Sequence, residues 1–140
     1  MSFDIFLVCL DHGEVATFPR ALVEQAFAPF IETRESNSWK LCDSLADVWI
    51  KGADDITGFG VSRPPGDLQE PHPFWRALLD VMQRTQTVLH WPSVGPKPHA
   101  VVANESVIAH MPPDMIRILG RPKVVTKPEE FWQRIGESGA

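Results

Sequence analysis

Residues 38–63 read SWKLCDSLADVWIKGADDITGFGVSR, and the spacing of apolar side chains in this stretch decides the fold. Three short runs, SWKLC, ADVWIKG and ITGFGVSR, place apolar residues at every second position, the period of a strand with one face turned to a core. The runs are separated by Asp43-Ser44-Leu45 and by the turn around Gly52, Ala53, Asp54 and Asp55, whose residue types favour reversal of the chain. The pattern predicts a three-stranded antiparallel meander. In its last strand Thr57, Phe59 and Val61 share one face, and Gly58 and Gly60 leave the other bare, where close packing of a helix or a partner is expected.

Working outward, the opening run SFDIFLVCL (residues 2–10) is apolar except for Ser2 and Asp4, which predicts a central strand buried on both faces. DHGEVATF reads as a polar connection. Pro19 suits the first turn of a helix, and Leu22, Val23, Ala26, Phe27 and Phe30 form its apolar stripe. Downstream, RPPGDLQEPHP (63–73) holds four prolines and reads as an exposed connector, since proline interrupts both helix and ladder hydrogen bonding. A helix then begins at Pro73, with Phe74, Leu78, Val81, Met82 and Thr85 on one side. TVLHWP, HAVVA and PKVVT read as short strands. Asn104 is positioned to cap the turn VIAHM, Gly120 to end the helix MIRILG, and residues 128–135 form a last helix. The reading is an α+β single domain over residues 1–140, with a mixed or antiparallel sheet packed by three to four helices.

Bulk properties agree with one core. At 140 residues, with 44% hydrophobic and 22% charged side chains, the chain has ordinary globular composition. Cys9 and Cys42 read as small core residues rather than a disulfide. The first residues carry no basic flank and their apolar run ends at Leu10, so neither a secretory signal nor a membrane span is expected, and the cytoplasm is the default location. Charge is uneven: residues 1–70 hold twelve acids and five bases, a net of −7, whereas residues 71–140 hold six acids and eight bases, a net of +2. An acidic half with no basic aromatic stripe argues against nucleic acid and for a basic protein partner.

Catalytic and metal signatures are missing from the sequence. His12, His72, His90, His99 and His110 show no metal-ligand spacing, and the cysteines stand 33 positions apart, so no metal or cofactor is expected. Neither a nucleophile elbow nor a glycine-rich phosphate loop occurs. Asp11 and His12 follow the central strand, where loops commonly carry function. Neighbours on an extended chain point apart, however, so they are read as loop residues. Trp39, Trp49, Trp75 and Trp132 fall on apolar faces and are expected in the core. Trp91, between a strand and a proline-rich loop, is expected to be partly exposed. Acids recur at turns, at Glu32 and Glu35, Asp43 and Asp47, Asp54 and Asp55, and Asp67 and Glu70, and are candidates for one negative contact edge.

Three segments, MSFDIFL at the start, FPRALVEQAF, and HAVVANESVIAHMPPDMIRILGRPKVV towards the end, resemble a group of small bacterial proteins of polymorphic-toxin immunity. The resemblance implies a cytosolic protein that binds and neutralises a cognate toxin without catalysis or cofactor, and it carries no site residue. The leading expectation is therefore a protein-binding module of the immunity or inhibitor kind. Its contact residues would be Asp43, Asp47, Asp54, Asp55, Asp67, Glu70 and Trp91. The alternative is a small enzyme or ligand-binding domain using Asp11, His12 and His72 in a shared cleft. Self-assembly through an exposed edge strand is a third possibility.

Overall fold

The central strand of the opening run is β1 (Asp4–Asp11) in the structure, a computed structural model that describes residues 4–66 and 72–139. A tight turn leads to β2 (Glu14–Val15), then β3 (Phe18–Pro19) and helix α1 (Arg20–Phe27), which a 3-10 turn extends to Phe30. Next come β4 (Ile31–Arg34), β5 (Ser38–Leu41), β6 (Asp47–Ile50), β7 (Asp55–Ile56) and β8 (Gly58–Ser62). The second half holds α2 (Pro73–Gln83), β9 (Thr87–His90), β10 (Ala100–Val102), a 3-10 turn over Glu105–His110, α3 (Pro113–Leu119), β11 (Lys123–Val124) and α4 (Glu130–Glu137).

The strands lie in the order β11, β10, β9, β1, β8, β6, β5, β4, with β2 added beside β1, while β3 and β7 form a separate pair. Among the described residues every pairing is antiparallel except β10 with β11, so the sheet is mixed and the chain is α+β, as the sequence predicts. The meander is present as β5, β6 and β8, and β1 is central.

Alternation explains the layering. Ile5, Leu7 and Cys9 of β1, Trp39 and Leu41 of β5, Val48 and Ile50 of β6, and Phe59 and Val61 of β8 all turn to one face. There they pack with Val23 and Phe27 of α1, Phe74, Trp75 and Leu78 of α2, and Phe131 and Ile135 of α4 in one large core. The opposite face carries a smaller cluster, in which Leu10, Val88, Ala100 and Val102 meet Val107, Ile108 and Met111 from the second 3-10 turn, with Met115 and Ile116 of α3 beside them. Because β1 contributes to both clusters, it reads as nearly continuous apolar sequence.

Several local expectations change. The polar connection after β1 is a hairpin, because His12 (φ 51°) and Gly13 (φ 83°) both take positive φ, the requirement of a two-residue hairpin turn. Asn104 precedes the 3-10 turn with extended backbone but makes no side-chain cap bond, whereas Gly120 (φ 84°) does end α3. The connector is not exposed at its start: Pro64 and Pro65 are buried, and the Pro65 carbonyl accepts from the indole N–H groups of both Trp75 and Trp132 at 3.0 Å. Cys9 and Cys42 are free thiols, and burial pushes the Cys9 thiol above its ordinary pKa. Among the described residues no helix is long and apolar enough to cross a membrane.

Candidate functional site

The large core fills only one side of the meander. On the other side the small cluster stops at β1, and none of the described residues of β8, β6 or β5 belongs to it. Register places Ser38, Trp49, Gly60, Phe6 and His90 in one row across five neighbouring strands. A Cβ on Gly60 would lie 2.8 Å from Trp49 Cε3 and 3.4 Å from Phe6 Cδ1, so both rings lean over the bare backbone. Phe6 in turn stacks on the His90 imidazole, centroids 5.6 Å apart. Burial holds the His90 pKa below its ordinary value, so this ring is neutral at pH 7.

The bare face of Gly60 is therefore covered by aromatic rings from its own sheet, not by a packed helix. Trp49 is the residue this exposes. It retains 42% of its accessible surface, whereas Trp39 and Trp75 are fully buried, so the core position expected for Trp49 is corrected. Two-residue periodicity put it opposite Val48 and Ile50, and those take the core face.

Among the described residues, the acidic candidates do not form one edge. Asp43 (φ 55°) lies in the turn before β6, and Asp54 and Asp55 lie beyond its far end, with the four residues of β6, about 10 Å of strand, between them. Asp47 is half-buried and pairs with Arg63 at 3.1 Å. The Asp54 carbonyl accepts from the Arg20 N–H at 2.8 Å, and Asp55 pairs with Pro19 in the small ladder. Asp67 and Glu70 fall outside the described residues. Trp91 is corrected outright: it is 1% exposed, and its indole N–H donates to Ser138 Oγ at 2.8 Å.

The turn after β1 brings together what sequence adjacency alone does not. Because His12 is in the left-handed region rather than extended, its Nδ1 reaches Asp11 Oδ1 at 2.7 Å. The second 3-10 turn delivers His110, whose Nδ1 lies 3.3 Å from the same oxygen and accepts from the His12 backbone N–H at 3.1 Å. Gly13 N–H donates to the His110 carbonyl at 2.9 Å, and Gln86 Nε2 donates to both the Leu10 carbonyl and Asp11 Oδ1. His72 does not join them. Its Nδ1 accepts from Phe74 N–H at the start of α2, and its ring packs edge-on to Phe30. The cleft of Asp11, His12 and His72 expected as an alternative site is thus replaced by Asp11, His12 and His110. His110 lies 98 positions from His12, and no local pattern announces that contact.

No known family model, curated protein or solved structure matches the chain.

Proposed function

We propose that the chain is a protein-binding module of the immunity or inhibitor kind, which neutralises a cognate protein by covering it. The observation that carries this reading is Trp49, a large aromatic side chain held 42% exposed in the middle of an otherwise regular, half-open sheet face. Tryptophan is among the side chains most enriched at binding hot spots, because it buries much area at little entropic cost. Phe6 and His90 extend the aromatic row, and the Asp47–Arg63 pair and Lys40 supply a polar surround. Four of the five strands that build this face, β1, β5, β6 and β8, belong to the acidic half of the chain, with its net charge of −7, which favours encounter with a basic partner. The resemblance to toxin-immunity proteins points the same way.

The test uses the protein encoded beside this chain's gene, titrated calorimetrically with the wild type and with Trp49→Ala. A hot-spot loss of about 2 kcal/mol corresponds to roughly thirtyfold weaker binding, read on a variant whose circular dichroism shows it folded. Reversing Asp54 and Asp55 to Lys is expected to slow association, more at low salt than at high. If no neighbouring product binds, or if Trp49→Ala binds as wild type does, the reading is wrong.

A further inference from the structure

The hairpin turn after β1 and the 3-10 turn before α3 carry a second constellation, far in sequence but joined in space. Asp11, His12 and His110 each offer one ligand atom, and these atoms lie within 4.8 Å of one another. We infer that this trio binds a borderline divalent transition-metal ion of the Zn2+ class, clamping the β1–β2 hairpin to the 3-10 turn.

The distances from Asp11 to each imidazole allow it, and the two imidazoles lie within the 4.8 Å bound of the trio. With metal–ligand bonds of about 2.0–2.1 Å, two ligands of a tetrahedral ion stand roughly 3.3 Å apart. Asp11 Oδ1 and His110 Nδ1 already stand at 3.3 Å. Asp11 Oδ1 and His12 Nδ1 stand at 2.7 Å and must open by about half an ångström to reach that tetrahedral spacing, a small swing for an imidazole that is 85% exposed. The ion would take over the Nδ1 lone pair with which His110 now accepts from the His12 N–H, and the exposed turn leaves that N–H open to water.

The ligand set is also held in place. Gln86 Nε2 donates to Asp11 Oδ1 at 3.2 Å and to the Leu10 carbonyl at 2.7 Å, the kind of outer partner that orients a metal-binding carboxylate. Gly13 N–H ties the His110 backbone to the turn at 2.9 Å, so the two elements are registered without an ion. Two imidazoles and one carboxylate suit Zn2+ and its neighbours rather than Ca2+ or Mg2+, which prefer oxygen. Three protein ligands leave a fourth position facing solvent.

The experiment titrates Zn2+ into the metal-stripped full chain by calorimetry, with His12→Asn and His110→Ala as variants and His72→Ala as control. Asparagine tolerates positive φ, so His12→Asn removes the imidazole and keeps the turn. Wild type is expected to bind one ion per chain and to melt at higher temperature with Zn2+ than without it. Each ligand variant should weaken binding by at least the tenfold to hundredfold typical of losing an outer-shell partner, and His72→Ala should match wild type. Wild-type binding no tighter than millimolar overturns the assignment, as does wild-type affinity in either ligand variant. If His110→Ala does not fold, His12→Asn alone decides the outcome.

Discussion

Trp91 has one partner for its indole N–H, the hydroxyl of Ser138, which donates onward to the Ile135 carbonyl at 2.7 Å. Both residues are 1% exposed, so water cannot replace either bond. Ser138→Ala removes the acceptor and leaves a buried donor, at a cost of about 1–3 kcal/mol. Urea denaturation should show that loss as a lower midpoint with an unchanged slope. The partner sits 47 positions away near the end of α4, so the residues around Trp91 describe only a strand running into a proline-rich loop and suggest an exposed ring. Gly60 is the converse case. Its lack of a side chain is visible in the sequence, but what fills the space depends on register, which sets Trp49 and Phe6 against it.

Elements with a strong period were legible, and elements made by their neighbours were not. β5, β6, β8 and α2 repeat apolar residues at the spacing of strand or helix over several positions. β2, β3 and β7 are two residues each, and β4 is an exposed edge strand with little to alternate. The start of α4, which the sequence does announce, shows how a single side chain organises a helix terminus. Glu130 Oε1 accepts from the backbone N–H groups of Thr126 and Lys127 and from Thr126 Oγ1, at 2.9–3.0 Å. The Thr126 backbone bond is the largest influence holding its carboxyl below the ordinary pKa. A depressed carboxyl contributes fully above the usual range near 4.3, and its contribution fades as pH falls through the folded-state value. Glu130→Gln should therefore lower the melting temperature at pH 7 and make less difference at pH 3, measured by circular dichroism.

At the scale of the whole molecule, the sheet has two ends, and each is a poor template for another chain. β4 carries Glu32 and Arg34 and a register shift between Ile31 and Thr33, and β11 is only two residues long. Light scattering from about 10 μM to 1 mM should report the single-chain mass of 15.7 kDa throughout, and a mass that climbs with concentration would contradict it. The layered architecture could be read from composition and period, and the bare half of the sheet could not, because nothing in a strand states which of its faces a helix will cover. That half-covered sheet divides one strand between two kinds of inheritance. In β5 and β6, Trp39, Leu41, Val48 and Ile50 are tied to the core, while Ser38, Lys40, Asp47 and Trp49 alternate with them on the bare side. A lineage could change the second set one substitution at a time, whereas each change in the first set costs core packing.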